Sequence, residues 1–513
     1  MKRRHVARAL ALLLVAAVSF TTVGCGDSKT AKSSVSTNGA KTVADGADPQ
    51  DLEPYTITWA YIGNTYQDTS LIEEEMNKIL EPKFNCKIDI IGFSWGEYAQ
   101  KLNLMLSGEE PLDLVPVMYQ NGASYINNGQ VIDMKELIDK YGINMKEVLG
   151  DDTLYTCSVD GKIYGVPVFK EYTSDLVVMM RKDLLEEAGY TIDDVESLED
   201  LDEIYAAVQK NHPETTMLAG RKGETPGVQA VWCDNLSDTF GVVMPDDKTG
   251  TVVNYYDTDQ FKQNAELMYE FAQKGYISKD CATMTEGKKP QVKAGTAFSY
   301  YCISSKPGLD VQDSLETGYE MVSKPVTSGF RATSMIAWMG WGIGRNCQYP
   351  ERAMEVLDYM YKSPELTNLF NWGIEGKHYV FKDEEKEIIT YPEGIDAQNK
   401  TYGLNIGFEM PNQSMGYVWE GNDPSMWDKM REFNSSEPLV STGLIIDNAN
   451  VLTEISALTN VRDKYIDAIG SGAVDPETAI PEMNKELEKA GLTTVIEEKQ
   501  KQLDAFIAEK NKQ

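Results

Sequence analysis

Cys25 carries the clearest chemistry in the chain. It follows a basic cluster of Lys2, Arg3, Arg4 and Arg8, an apolar run from Ala9 to Phe20, and the tripeptide Thr22-Val23-Gly24. Such a pattern marks a lipoprotein signal, with small Gly24 at the point of cleavage. The apolar run is too short to remain as a membrane-spanning helix. Residues 1–24 are therefore expected to be removed, leaving Cys25 to carry lipid at the extracytoplasmic face of the cell membrane. An ordinary secretory signal with an incidental cysteine is the alternative, since Thr22 stands where Leu is usually preferred. Both readings take the protein out of the cytoplasm. Elsewhere the chain has no HExxH, P-loop or CxxC. Glu109-Glu110 and Asp246-Asp247 are adjacent in sequence and read as solvated turns. Beyond the signal only His212 and His378 are available as imidazole ligands. No catalytic residue, metal or cofactor is expected, and the chain does not read as an enzyme.

Composition narrows the partners. The formal net charge is −32, and −36 once the four basic signal residues are removed. With no basic stripe, nucleic acid is excluded as a partner on electrostatic grounds. The six cysteines after Cys25 (Cys86, Cys157, Cys233, Cys281, Cys302 and Cys347) are widely scattered, which fits buried thiols as well as disulfides. From Gly26 to about Gln50 the chain is mostly Ser, Thr, Ala, Gly, Lys and Asp without an aromatic residue. Residues 25–51 are read as a lipidated cysteine and flexible linker reaching roughly 25–30 Å. The remaining body exceeds what one hydrophobic core usually serves, so two lobes are expected.

The elements that must position any binding site follow from periodicity. Tyr55, Ile57, Trp59 and Tyr61 alternate with smaller residues and predict a strand over 55–61. Gly63-Asn64 breaks it. A helix is expected to start at Ser70 as N-cap, with Glu73 completing a capping box. Lys87–Ile91 and Leu112–Met118 read as further strands around a helix over Glu97–Leu106, an α/β alternation implying a largely parallel sheet. Pro167, at the end of Asp160-Gly161-Lys162-Ile163-Tyr164-Gly165-Val166-Pro167, predicts an edge or crossover strand. Leu176–Arg181 is then a strand leading into a helix that Gly189 closes. Pro350 and Asp475-Pro476 each open a late helix.

At these residues the chain resembles the family 1 extracellular solute-binding proteins, the receptors of carbohydrate-type ABC importers. The resemblance is carried by Asp160–Pro167, by Gln291-Val292-Lys293-Ala294-Gly295-Thr296-Ala297, by the helix Pro350–Leu366 and by Gly470–Gly491. Asn371–Tyr379 further resembles the LipO-type lipoprotein subgroup. The resemblance implies a type II, two-lobed α/β periplasmic-binding-protein (Venus-flytrap) fold with crossover hinge segments. The lobes would be residues 52–167 plus about 326–400, and 168–325 plus about 401–513. It also implies a monomer that captures a small ligand, most readily a sugar or oligosaccharide, and delivers it to separate permease subunits. A peptide or polyamine cargo, and a polysaccharide-capturing surface lipoprotein without a transporter, are the alternatives.

A sugar receptor needs aromatic platforms surrounded by amides, carboxylates or cations. In an open α/β sheet the ligand lies beyond the carboxyl ends of the strands. This selects Trp59, Tyr61 and Asn64, then Trp95 in its glycine-flanked loop, then Tyr119 and Gln120. The second half adds Glu171, Trp232, Tyr301, Trp338, Trp341, Trp372 and Trp419. Trp59 and Tyr61 share one strand face, which fits the core as well as a cleft.

Overall fold

In the computed structural model the described residues are 49–108, 110–229, 233–396 and 399–510. The signal, Cys25, most of the linker and Trp232 lie outside them. Strand β1 (Tyr55–Ile62) pairs in parallel with β2 (Cys86–Phe93) and with β3 (Leu114–Met118). Strand Met339–Ile343 then joins β3 antiparallel and is bordered by Val166–Pro167. The sheet order is thus β2, β1, β3, Met339–Ile343, Val166–Pro167. Pro167 lies on the outermost strand, where its missing N–H costs no ladder bond.

Helix α1 (Thr69–Phe84) connects β1 to β2, α2 (Tyr98–Ser107) connects β2 to β3, and α3 (Tyr119–Asn127) follows β3. The expected capping box does not form. α1 starts after Asp68 without a side-chain cap, and Glu73 Oε1 instead accepts from Ile90 N at 2.8 Å. Asn77 Oδ1 likewise accepts from Ile88 N at 2.8 Å. β2 is an edge strand, and its outward N–H groups take the helix side chains as partners, which closes the edge.

The second lobe has a four-stranded sheet in the order Met321–Pro325, Leu176–Arg181, Ala297–Ile303, Thr216–Ala219. Leu176–Arg181 is antiparallel to both neighbours. Helices Leu452–Gly470, Pro476–Ala490 and Leu492–Lys510 build a further core with Phe240, Tyr255, Tyr256 and Phe261. Asp475 caps its helix by accepting from Glu477 N at 3.0 Å, with Pro476 in the first turn.

Three segments cross between the lobes. Thr173–Ser174 pairs antiparallel with Phe330–Arg331, and Arg331 bridges to Pro438. Asn434 ties the third crossing to the first, accepting from Tyr172 N at 2.7 Å and donating to Lys170 O at 2.6 Å. The expected boundary near residue 400 moves. Tyr402, Leu404, Ile406 and Met410 belong to the first lobe's core, and the chain crosses back only around 434–441. Segment 402–410 has no regular period because it is held from outside: Leu404 N donates to Asn371 O and Ile406 N to Asn371 Oδ1. All six cysteines after Cys25 are free thiols, and all but Cys302 are buried.

Candidate functional site

The carboxyl ends of β1, β2 and β3 and the start of Met339–Ile343 share one edge of the first sheet, because the last strand runs antiparallel to β3 with Met339 opposite Met118. Trp95 rises from this edge in the Ser94–Glu97 turn. The turn is closed by Glu97 N and Tyr98 N on Ser94 O and by Ser94 Oγ on Glu97 Oε2. Trp95 is 51% exposed. Its ring lies 6.3 Å from that of Trp338 and 6.0 Å from that of Phe408, tilted by 36° and 33°. Trp338 and Phe408 meet edge-on at 5.5 Å. A tryptophan so exposed, backed by two further rings, offers a flat apolar face of the kind that stacks on the C–H face of a sugar ring.

Cations stand behind this platform. Lys170, almost without exposure, lies 5.5 Å over the Trp338 ring and donates to Glu171 O at 2.9 Å. Glu171 Oε1 is 3.8 Å from Lys170 Nζ and 3.7 Å from Lys306 Nζ, and its Oε2 is buried without a protein partner. Burial opposes the charge of Glu171, but Lys170 and Lys306 outweigh it and hold the carboxyl below the usual range. Lys306 follows strand Ala297–Ile303 of the second lobe, so Glu171 joins the first crossing to that lobe. A carboxylate with one free oxygen between two ammonium groups can read adjacent hydroxyls, accepting from one and donating to the next through lysine.

A second aromatic group is built by an excursion of the chain from the first lobe. Strands Val380–Asp383, Ile388–Thr390 and Val418–Trp419 form a small sheet. Trp419 stacks at 5.1 Å on Trp372 and meets Tyr391 edge-on at 4.6 Å. The turn after Trp372 is fixed by His378, whose Nδ1 accepts from Ile374 N at 2.9 Å. That bond assigns the proton to Nε2, which faces Asp68 Oδ2 at 3.1 Å. Burial lowers the His378 pKa, while bonds from Thr401, His378 and Lys377 hold Asp68 well below the usual carboxylate range. Gly373 is required here: its φ is +95°, and a Cβ would come within 2.5 Å of His378 Nδ1.

The remaining expected residues separate by depth. Asn64 and Gln120 are exposed on the same edge, and Tyr119 is buried beside Trp338, donating its N–H to Trp338 O at 3.1 Å. Trp59 and Trp341, expected as platforms, are wholly buried core residues in edge contact at 4.8 Å, with Trp341 Nε1 bonded to Glu409 O. Tyr61 is likewise core, its hydroxyl closing the following turn on Asn64 O at 2.6 Å, and Tyr301 is buried in the second lobe. The reason is common to all four. Helices or loops cover both faces of each sheet, so a residue within a strand is buried whichever way it points. Sequence reasoning missed Phe408, Tyr391, Lys170 and Lys306; only for the two rings was there a signal, an aromatic residue in an irregular segment.

Comparison with known proteins identifies relatives of the chain. A family profile described as bacterial extracellular solute-binding protein matches residues 75–374, and a domain of unknown function (DUF3502) matches residues 440–508. The chain is 26% identical over 490 residues to a carbohydrate ABC transporter substrate-binding protein of Streptococcus pneumoniae serotype 4 (strain TIGR4), spanning 92% of this chain and 94% of that protein. It is 23% identical to the fructooligosaccharide ABC transporter substrate-binding protein FusA of the same strain, spanning 84% and 87%. Among solved structures, the N-glycan transport solute binding protein (NgtS) from Streptococcus pneumoniae superposes with a TM-score of 0.79 at 26% identity, over 89% of this chain and 100% of that one. NgtS in complex with Man1GlcNAc gives 0.73 over 88% and 100%. The two sheets, joined by three crossings in the type II arrangement, and a profile match over more than half of the 513 residues lead to one assignment: the chain belongs to the bacterial extracellular solute-binding protein family.

Proposed function

We propose that this chain is the extracytoplasmic receptor of an ABC importer, capturing an oligosaccharide between its lobes without chemically altering it. The observation that carries the reading is the exposed Trp95 face beside the Lys170–Glu171–Lys306 group. The platform belongs to the first lobe and Lys306 to the second, so a sugar stacked on Trp95 and bonded to Lys306 would touch both only in a closed state. Ligand contacts available in one state alone draw the population toward it. The related carbohydrate and N-glycan transport proteins support the same class of cargo. Two ammonium groups beside the platform weigh against a cationic cargo such as a polyamine.

A thermal-shift comparison of oligosaccharides, peptides and polyamines tests this. A cargo at 100 times its dissociation constant should stabilise the protein by about 2.7 kcal/mol, and that gain is expected from an oligosaccharide. Stabilisation by a polyamine or peptide and by no oligosaccharide would overturn the reading.

We further propose that Cys25 is lipid-modified and tethers the receptor to the membrane. Its separation from the binding body in sequence predicts that Cys25→Ser releases the protein into the medium with its ligand affinity unchanged. Retention in the membrane fraction would refute the anchor.

A further inference from the structure

Residues 440–508, matched to a domain of unknown function, bond to the turn 234–241. They hold the turn 234–241, which has no regular structure beyond the isolated bridges Asp234 to Val243 and Val242 to Val253. Leu236 and Ser237 in this turn have φ of +44° and +79°, a conformation that persists only when the surroundings over-determine it. The C-terminal segment supplies those surroundings. Ser441 Oγ donates to Asp234 Oδ2 at 2.6 Å, Asn448 Nδ2 to Ser237 Oγ at 2.9 Å, and Lys499 Nζ to Asp238 Oδ1 at 2.6 Å.

The turn held in this way presents oxygens rather than donors. Asn235 Oδ1, Asp238 Oδ2 and Asn448 Oδ1 are buried and have no hydrogen-bond partner among the described residues. Tyr119 comes from the first lobe and is only 8% exposed; burial and then the charges of Asp234 and Asp238 raise the pKa of its hydroxyl, and the Ser237 backbone N–H that faces it lowers it, so the phenol lies against the turn. Its N–H is bonded to Trp338 O, so the group adjoins the aromatic platform. Ile445 of the C-terminal segment packs with Tyr119, Tyr125 and Ile126 and holds the two lobes' contributions together.

Three unpartnered acceptors fit a partner rich in O–H donors. A hard cation would match the oxygens, but the Lys499 ammonium already compensates Asp238. We infer that this group is a second, hydroxyl-reading subsite for a sugar ring of the cargo beyond the one on the Trp95 platform, and that the C-terminal segment serves to position it. The inference rests on the oligosaccharide reading above.

Asn235→Ala tests it cleanly, because the Oδ1 it deletes bonds nothing among the described residues. Calorimetric titration with Man1GlcNAc, Man5GlcNAc and kestose is expected to show an affinity loss of about 10-fold for this variant with the saccharide that the parent binds, at an unchanged melting temperature. Affinities equal to the parent's for every bound saccharide overturn the subsite, while a loss confined to Trp95→Ala leaves the platform reading standing. A parent protein that binds none of the three, and no oligosaccharide in the thermal-shift comparison, overturns both.

Discussion

Replacing Lys499 with methionine is expected to lower the unfolding free energy by about 3–5 kcal/mol, read as a lower urea midpoint. Lys499 has no solvent exposure, and its ammonium is 2.6 Å from Asp238 Oδ1 and 3.3 Å from Gly241 O. Burial lowers its pKa, whereas Asp238, and after it Asp234, favour the charged form. Methionine keeps most of the apolar stem and its packing, so the expected loss is electrostatic. It leaves Asp238, largely buried, without its cation and close to Asp234, itself wholly buried. Adding Asp238→Asn to the variant should recover part of the loss, since the stranded charge is then removed. A single-variant loss below about 1 kcal/mol would mean that Asp238 simply turns to water, and that the turn 234–241 is not held as described.

The same residues show how far the chain could be read without coordinates. Strands Tyr55–Ile62 and Leu176–Arg181 and the helices opening at Pro350 and Pro476 were legible because their periods and caps are local. Glu73 was not, since the N–H it satisfies belongs to Ile90 on a neighbouring strand. Trp338 and Trp341 lie three residues apart and looked equivalent. Trp338 stands just before its strand, at the edge, while Trp341 sits inside a strand covered on both faces. Trp95 was legible for the opposite reason: Gly92 and Gly96 bracket it, and a large ring in such a loop has little core to enter. Lys170 and Lys306 had no signal, because a lysine reads as surface until a tertiary partner such as Glu171 is known. The strained turn at Leu236 was equally hidden, its stabilising contacts coming from more than 200 residues away.

The contrast between Trp95 and Trp341 gives the second large effect. Trp95→Ala is expected to weaken oligosaccharide binding by about 30-fold or more, the range of a truncated aromatic hot spot. Its effect on the melting temperature should be small, because half of the side chain is already in water. Trp95→Phe should restore part of the affinity by keeping an apolar face over Trp338 and Phe408. Trp341→Ala should do the reverse and destabilise the first lobe by about 3–5 kcal/mol, since it empties a fully buried site against Trp59 and removes the donor to Glu409 O. Affinity and stability thus separate along one sheet according to whether the ring stands beyond the strand end or within it. If Trp95→Ala bound oligosaccharide as tightly as the parent, the exposed rings at this edge would not be the platform, and the cleft would have to be sought at the Trp372–Trp419 pair instead.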